Sequence, residues 1–233
     1  MNKKVLITGS TSGIGKVTYD ILIKAGYKVF QTGSRKADFE NYFQADLSNL
    51  DNAKNLSLYI KENFGDIDIL INNAGAYLYS PIEKVTKEDI EKYFNLNFLS
   101  HYYLTTLFVP KMKEKKWGRI INISSISGVL GEANASLYSS SKSAFYGFSK
   151  ALALELAQYN ITVNSISPGW VETPLAENAL SKEEKDEILD IVPQKRFVEP
   201  SEIGNLILYL ISDNAKGITG QNINLCAGLT CGC

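Results

Sequence analysis

Short runs of apolar residues alternate along this chain with longer segments in which apolar residues recur every three or four positions. The short runs predict β-strands and the longer segments predict helices. The predicted strands lie at residues 4–8, 27–32, 41–45, 67–72, 119–124, 161–167 and 220–226. The predicted helices lie at residues 13–25, about 50–64, 87–115, 137–158, 181–192 and 200–212. We expect Pro110 to interrupt or end the third helix, because proline lacks a backbone N–H.

The predicted strands are apolar on both faces instead of alternating between apolar and polar residues. Such strands are typical of a parallel sheet that helices cover on both sides. Because crossovers between parallel strands are right-handed, the alternating elements predict a doubly wound parallel sheet of about seven strands. No linker, repeat or low-complexity segment divides residues 1–233, so we expect a single α/β domain. Ligands of such sheets bind just beyond the carboxyl ends of the strands.

The overall charge excludes several classes of partner. The chain carries 24 basic and 25 acidic residues, a net charge of −1, which gives no electrostatic reason to expect nucleic acid or an anionic membrane. No apolar run reaches the length of a membrane-spanning helix. The apolar run near the N-terminus meets glycine too early for a signal-peptide core, so we expect a cytoplasmic protein.

The cysteines give little reason to expect a metal site. Cys226, Cys231 and Cys233 all fall near the C-terminus, and their odd number argues against a disulfide framework. Zinc sites usually need four ligands, and the only histidine, His101, is far away in sequence. We predict no metal, and cysteines that belong to a C-terminal strand and tail.

The segment TGSTSGIG joins the first predicted strand to the first predicted helix, with glycines at Gly9, Gly13 and Gly15. Glycines at such a junction allow a tight turn, close approach of a pyrophosphate, and close packing of helix on strand. The helix N-terminus then presents free N–H groups and a partial positive charge to the phosphates. Glycines that only shape the turn are the alternative, but the position at the first strand–helix junction favours a dinucleotide loop.

Several motifs in order resemble the short-chain dehydrogenase/reductase family. They are T-G-x-x-x-G-I-G, the sequence NNAG at 72–75, a serine after the strand RIINIS, Y-x-x-x-K at 138–142, and SPGWVETP at 167–174. Their order and spacing fit along essentially the whole chain. The resemblance implies a Rossmann-type fold and an NAD(P)-dependent oxidoreductase acting on carbonyl and secondary alcohol groups.

The resemblance carries a catalytic set over to Asn97, Ser125, Tyr138 and Lys142. The family's serine lies thirteen residues before the tyrosine, which selects Ser125 over its neighbour Ser124. Tyr138 and Lys142 share one helical face, because positions i and i+4 are neighbours. The alternative to Asn97 as the family's asparagine is the nearby Asn95. A Tyr-x-x-x-Lys pair also arises by chance in many helices, so the set counts only as a whole.

The expected chemistry explains these residue types. A tyrosine has an unperturbed pKa of about 10, too high for efficient acid–base work near neutrality. We expect the Lys142 ammonium and the oxidised nicotinamide to lower the pKa of Tyr138. Lys142 would also hold the nicotinamide ribose, and Ser125 would hydrogen-bond the substrate oxygen. The resemblance implies that Asn97 binds a water that relays protons between Lys142 and solvent.

The end of the second strand bears on which nicotinamide cofactor is bound. Relatives that prefer NAD carry an acidic residue there, whereas this chain has Gly33, Ser34 and Arg35. Arginine attracts a 2′-phosphate through charge-assisted hydrogen bonds, so we predict NADP(H), with NAD(H) not excluded. Asp38 lies near enough to oppose this preference. Many NADP-preferring relatives carry a second basic residue in the glycine loop, and this chain has Ser12 at that position.

The resemblance also implies which other residues contact the cofactor. Asp46 and Leu47 would hold the adenine, although Asp46 as a helix N-cap is an alternative. The segment at 168–173 would grip the nicotinamide amide, although Pro168 and Gly169 could form a simple turn. The full predicted set is Gly9, Ser12, Gly13, Ile14, Gly15, Ser34, Arg35, Asp46, Leu47, Asn73, Ala74, Gly75, Tyr138, Lys142, Pro168, Gly169, Val171 and Thr173.

The general layout most resembles 3-oxoacyl-acyl-carrier-protein reductases. Lys116, in a basic segment, lies near the position where those relatives dock the acidic carrier protein. A second docking arginine is replaced by Tyr159 and Asn160, so a small ketone, a sugar or a polyketide-type substrate stays open. The family's substrate lid corresponds to residues 175–198, which are short and charged here.

The family assembles through the helices at 87–115 and 137–158. The second of these is apolar on more than one face, which favours a homotetramer or a homodimer. Burial of that helix within one subunit is the alternative. A non-catalytic dinucleotide sensor is the functional alternative to an enzyme, because a fold does not establish a function.

Overall fold

The computed structural model describes residues 3–173 and 181–231. Its strands are β1 (Lys4–Thr8), β2 (Lys28–Gly33), β3 (Tyr42–Gln44), β4 (Ile69–Asn72), β5 (Gly118–Ile123), β6 (Ile161–Pro168) and β7 (Asn222–Leu225). They form one sheet in the order β3-β2-β1-β4-β5-β6-β7. Every pairing is parallel. The predicted doubly wound α/β fold is confirmed.

Helices cover both faces of this sheet. They are α1 (Gly13–Lys24), α2 (Leu50–Asn63), α3 (Lys87–Phe94), α4 (Ser100–Lys115), α5 (Ser127–Leu130), α6 (Ser136–Leu156), α7 (Lys182–Ile191) and α8 (Pro200–Leu210). The short α5 lies in a segment for which the apolar pattern predicted no element. In the described part of the chain, no helix is long and apolar enough to cross a membrane.

Alternate residues of each strand serve two different core layers, which explains the continuous apolar runs. In β1, Val5 and Ile7 pack with Leu22 of α1 and Ile203 of α8. Leu6, between them, packs in the opposite layer with residues of α2, α4 and α6. Because both faces are buried, a polar side chain between the layers is costly without a partner, and Gln31 of β2 is an exception whose buried amide has none among the described residues.

The long helix predicted at 87–115 is divided, but not at the proline. A π-helical segment, Asn95–Leu99, separates α3 from α4, whereas Pro110 lies inside α4. Pro110 is exposed, as is Thr106, whose carbonyl loses its helical partner. Water can therefore bond to that carbonyl, and the proline does not end the helix. The expectation of a break near Pro110 was wrong.

The sheet topology determines where a ligand can bind. The chain winds outward from β1 in one direction through β2 and β3, and in the other direction from β4 through β7. The boundary between the two halves lies between β1 and β4. The loops after these strands diverge to opposite faces, which leaves a crevice at their carboxyl ends. Most of the predicted cofactor residues, together with Ser125, follow strands β1 to β6 and so lie along this edge, whereas Asn97 lies in a helical segment and Tyr138 and Lys142 lie in α6.

Candidate active site

The loop after β1 requires glycine at particular positions. Gly9 and Gly13 have φ angles of +68° and +53°, which glycine adopts without strain. A Cβ on Gly15 would lie 2.2 Å from the Gly9 carbonyl oxygen. The exposed Ser12 is the N-cap of α1, and its side chain makes no capping hydrogen bond. The first N–H groups of α1, starting near Ile14, are therefore open to an anionic ligand, as a pyrophosphate requires.

The turn after β4 is fastened to this loop. The Thr8 hydroxyl accepts hydrogen bonds from the backbone N–H groups of Asn73 and Ala74, both at 2.9 Å. The Asn73 side-chain amide donates to the carbonyls of Thr8 and Gly9, at 2.8 and 3.1 Å. These bonds hold the strand ends of β1 and β4 in a fixed relation. A dinucleotide fits the residues present, because the loop has glycine at three positions that border the cradle and leaves the N-terminus of α1 open.

The end of β2 is shaped for an exposed basic residue. Gly33 is buried, and a Cβ there would lie 2.8 Å from the Thr11 methyl carbon. Ser34 and Arg35 follow it and are exposed at the carboxyl edge of the sheet. The Tyr42 hydroxyl donates to the backbone carbonyls of Gly33, at 2.9 Å, and of Arg35. The turn that presents Arg35 is thus held by β3.

The segment after β3 differs in one respect from expectation. Asp46 is exposed, and its carboxylate accepts a hydrogen bond from the Ser48 backbone N–H at 3.0 Å. The N-cap of α2 is Asn49, whose side chain accepts from the Asp51 backbone N–H. The alternative of Asp46 as the helix N-cap was therefore wrong. Leu47 is buried, so its side chain belongs to the core, and contact with adenine stays a prediction.

Ser125, Tyr138 and Lys142 come together beyond the ends of β5 and β6. The Ser125 hydroxyl lies close enough to the Tyr138 hydroxyl to act on its pKa. The Lys142 ammonium is buried, lies 5.9 Å from the centre of the Tyr138 ring, and donates to the Ile123 carbonyl at 2.9 Å. Ser124 points elsewhere and donates to the Lys142 carbonyl at 2.8 Å. Ser125 is thus the serine that faces the Tyr138 hydroxyl.

The fourth predicted catalytic residue, Asn97, lies in the π-helical segment and is fully buried. Its amide nitrogen donates to the Ala76 carbonyl at 3.0 Å and to the Ser141 hydroxyl at 3.1 Å. Its amide oxygen accepts from the Ala76 N–H at 2.8 Å. The Asn95 side chain donates instead to the Ser48 carbonyl, at 3.0 Å. Asn97, not Asn95, therefore fastens the turn after β4 to the helix of the Tyr–Lys pair.

The acid–base groups have strongly displaced pKa values. Burial raises the pKa of Tyr138 to about 12, Glu132 adds to the rise, and the hydrogen bond with Ser125 opposes it. Burial lowers the pKa of Lys142 to about 8. Without the oxidised nicotinamide, which was part of the expectation, the protein does not lower the pKa of Tyr138. The reason is that burial dominates and that the Lys142 ammonium binds the Ile123 carbonyl.

The single histidine, which the sequence did not connect to the site, lies directly beneath it. His101 is fully buried, and its Nε2 lies 2.7 Å from the Ala74 carbonyl oxygen. Because a carbonyl can only accept, Nε2 carries the proton. Burial, opposed by the hydrogen bond to Ala74 and aided by the charge of Lys142, lowers the pKa of His101 to about 3. The neutral ring supports the turn after β4, and within the described residues its Nδ1 has no partner.

The segment after β6 lies against the glycine loop. Pro168 ends the strand, and Gly169 follows it at a point where a Cβ would lie 2.8 Å from the backbone beyond β7. Val171 forms a parallel bridge to the segment that precedes α8. The Thr173 methyl carbon lies 3.4 Å from where a Cβ on Gly13 would be. The glycine loop and the predicted nicotinamide-binding segment thus border the same space.

The predicted lid at 175–198 is only partly described, because residues 174–180 lie outside the described ranges. The described part begins with Ser181, which forms a capping box with Glu184 at the start of α7. Among the cysteines, Cys226 is buried and Cys231 is exposed, whereas Cys233 lies outside the described residues.

Comparison with known proteins identifies the family. A family model described as "short chain dehydrogenase" matches residues 3–184. The chain belongs to this family. It is 34% identical to a D-beta-hydroxybutyrate dehydrogenase of Cupriavidus necator, over 97% of each chain. It is 32% identical to a 3-oxoacyl-acyl-carrier-protein reductase of Thermotoga maritima, also over 97% of each. The predicted family is confirmed, and the chain is an NAD(P)-binding oxidoreductase acting on CH–OH or C=O groups.

A solved structure gives the same result at the level of the fold. A variant of the actinorhodin polyketide ketoreductase, crystallised with NADPH, superposes with a TM-score of 0.89 and 33% identity. The match covers 98% of this chain and 97% of that one.

Proposed function

We propose that this enzyme reduces a ketone with NADPH, and that Ser125, Tyr138 and Lys142 carry out the acid–base part of the reaction. The observation that supports this most is their convergence beside the turn after β4, where the Lys142 ammonium would lie 3.1 Å from a Cβ on Gly75 and Asn73 is hydrogen-bonded to the glycine loop. The Ser125 hydroxyl acts on the pKa of Tyr138, and the buried Lys142 ammonium lies 5.9 Å from the centre of the Tyr138 ring. A dinucleotide sensor has no need of a buried phenol paired with a serine.

The residues divide the work as follows. Bound NADPH supplies the hydride to the carbonyl carbon. Ser125 donates a hydrogen bond to the carbonyl oxygen and stabilises the negative charge that develops there. Tyr138, which holds its proton at neutral pH because its pKa is about 12, donates that proton to the same oxygen. Lys142, partly protonated because its pKa is about 8, favours the phenolate left behind.

The proposed preference for NADPH rests on the end of β2. An acidic residue in place of Gly33 would bring a Cβ to 2.8 Å from the Thr11 methyl carbon, so the Thr11 side chain would have to move to admit the acid of NAD-preferring relatives. Arg35 is exposed beside it and can pair with a 2′-phosphate. The related polyketide ketoreductase was crystallised with NADPH, which agrees with this choice.

Replacement of Tyr138 by phenylalanine tests the mechanism. We expect Tyr138→Phe to lower kcat for reduction of an active ketone by about 10²–10⁴-fold, because the proton donor is lost. The dissociation constant for NADPH should change by no more than about threefold, which calorimetry measures. Tyr209→Phe, which removes a hydroxyl from an exposed residue of α8, is the matched control. Full activity of Tyr138→Phe would contradict the mechanism.

We propose that the substrate is a small free ketone rather than a 3-oxoacyl thioester bound to a carrier protein. Of the basic residues near the predicted docking position, Lys111 pairs with Glu114 and Lys115 pairs with Asp68. Lys116 is exposed, but these pairs reduce the positive surface that an acidic carrier protein would need. A panel of ketones, sugars and acetoacetyl thioesters, run with NADPH and NADH, distinguishes these classes.

We also propose that α4 and α6 join two copies of the chain. A groove of about 580 Å³ runs between these helices and is lined by aromatic residues such as Phe98, Tyr102 and Phe148. Leu154, on α6, is 84% exposed in the single chain. Homotetramer and homodimer are both compatible with such a contact, and light scattering gives the mass. The cytoplasmic location and the lid at 175–198 stay predictions.

A further inference from the structure

A carboxylate lies in the reacting site that the proposed mechanism does not use. Glu132, in the loop between α5 and α6, accepts a hydrogen bond from the Ser127 hydroxyl at 2.7 Å. The Ser127 hydroxyl in turn accepts from the Ser125 hydroxyl at 3.2 Å. Glu132 is therefore two hydrogen bonds away from the serine that we propose to bind the substrate oxygen.

The second oxygen of this carboxylate faces the opposite wall of the same space. It accepts a hydrogen bond from the Tyr77 hydroxyl. The Tyr77 ring packs edge-on against the Tyr138 ring, with 5.0 Å between their centres. Ser125 and Tyr138 thus each have a neighbour that binds Glu132, so a substrate held by both residues lies close to this carboxylate.

The position of Glu132 is fixed by contacts between two loops. The Asn134 carbonyl accepts from the Ser80 N–H at 2.6 Å, and the Asn134 side chain donates to the Tyr79 hydroxyl at 2.9 Å. Asn134 has a φ of +60°, a conformation that asparagine tolerates better than most residues. These bonds join the loop after β4 to the loop before α6, directly beside Glu132.

Within the described residues, no ion pair neutralises the charge of Glu132. Among the salt bridges of residues 3–173 and 181–231, none includes it. In the sequence it is the sole charged residue between Arg119 and Lys142. Its field reaches the reacting group, since it contributes to the raised pKa of Tyr138. A second negative charge in this space would meet the same field.

We propose that Glu132 is a specificity-determining residue, which admits uncharged ketones with a hydrogen-bond donor near the carbonyl and rejects keto acids. The inference rests on the proposed function of this site. Each carboxylate oxygen can accept two hydrogen bonds, so Glu132 can bind a substrate hydroxyl or amide while it keeps Tyr77 and Ser127. A substrate carboxylate would be repelled. The hydroxybutyrate in the name of the Cupriavidus relative carries such a carboxylate, so this chain would differ from that relative in substrate.

Acetoacetamide and acetoacetate test this inference, because they have the same shape and differ in charge. Two like charges about 6 Å apart at an effective dielectric constant of about 20 give a discrimination of about hundredfold. We expect wild-type kcat/KM to be about thirtyfold or more higher for acetoacetamide. Glu132→Gln keeps hydrogen-bonding groups toward Tyr77 and Ser127, and should reduce the ratio about tenfold or more, mainly through a lower KM for acetoacetate. Glu62→Gln, which removes an exposed carboxylate from α2, should leave the ratio unchanged.

Calorimetry on the enzyme with NADP⁺ measures the ratio of the dissociation constants of the two ketones without turnover, since a ketone binds this form but has no hydride to receive. A wild-type enzyme that binds both ketones equally, or neither, would overturn the inference, as would a ratio that persists in Glu132→Gln. Failure to reduce any ketone of the panel would overturn the proposed function instead. The two failures are therefore distinguishable.

Discussion

Adding one methyl group at Gly15 should damage both the fold and cofactor binding. The Cβ of alanine would lie 2.2 Å from the Gly9 carbonyl oxygen and 2.7 Å from the Asn73 amide nitrogen. Close carbon–oxygen contacts in proteins are about 3.3–3.6 Å, so the backbone must move by about 1 Å. Gly9 cannot move freely, because its N–H donates to the Thr32 carbonyl at 2.8 Å and its carbonyl accepts from Asn73.

The expected magnitude follows from two opposing terms. Overpacking costs about 1–3 kcal/mol and occasionally more. Alanine in place of glycine within a helix contributes about 0.5–1 kcal/mol in favour of folding. We therefore expect Gly15→Ala to lower the free energy of unfolding by about 2 kcal/mol, measured by urea denaturation. Displacement of the loop should also raise the dissociation constant for NADPH about tenfold or more, measured by calorimetry.

Gly217→Ala is the matched control for this change. Gly217 lies in an exposed turn, and a Cβ there would have no neighbour within 4 Å. Its free energy of unfolding should stay within about 0.5 kcal/mol of the wild type. The reasoning would be refuted by a Gly15→Ala variant that unfolds at the wild-type urea concentration and binds NADPH equally well. Such a result would mean that the glycine loop accommodates a Cβ at position 15 despite the short distances.

Two further substitutions test the cofactor preference and the buried histidine. Arg35→Ala should raise KM for NADPH about tenfold and leave KM for NADH within about twofold. Lys36→Ala is the control. Equal changes in KM for both cofactors would contradict a contact between Arg35 and the 2′-phosphate. The pKa of His101 is about 3 in the folded chain and about 6.5 in the unfolded chain. Between these values only the unfolded chain binds a proton at His101, so the free energy of unfolding falls as the pH falls below about 6.5. Urea denaturation at about pH 7.5 and 5 should show the wild type losing about 2 kcal/mol more than His101→Gln; parallel losses would mean that His101 does not stay neutral.

The sheet was largely predictable because the apolar runs are short, continuous and buried on both faces. Leu6 and Ile7 serve opposite core layers, so neither can be polar. The division of the helix at 87–115 was not predictable in the same way. A π-helical segment shifts the backbone by one residue, and apolar spacing over one turn does not reveal such a shift. Pro110 was a misleading signal, since its cost depends on exposure.

Within the site, the sequence indicated residues that act through local spacing and missed those that act across loops. Tyr138 and Lys142 share a helical face, so their spacing of four was informative. Glu132 and Tyr77 are far apart in sequence and meet through loops whose paths periodicity does not predict. One signal was available: Glu132 stands alone as a charge in an uncharged segment that ends at Lys142. His101 gave no comparable signal, because its role depends on burial.

The displaced pKa values connect specificity with the protonation state of the resting enzyme. Reduction of a ketone needs a protonated Tyr138, and burial together with the Glu132 charge keeps the phenol protonated at neutral pH. The same charge disfavours a carboxylate on the substrate. One side chain therefore biases the site toward proton donation and toward uncharged ketones. A keto acid would need a cation at this place, and that cation would lower the pKa of the phenol that must give up its proton.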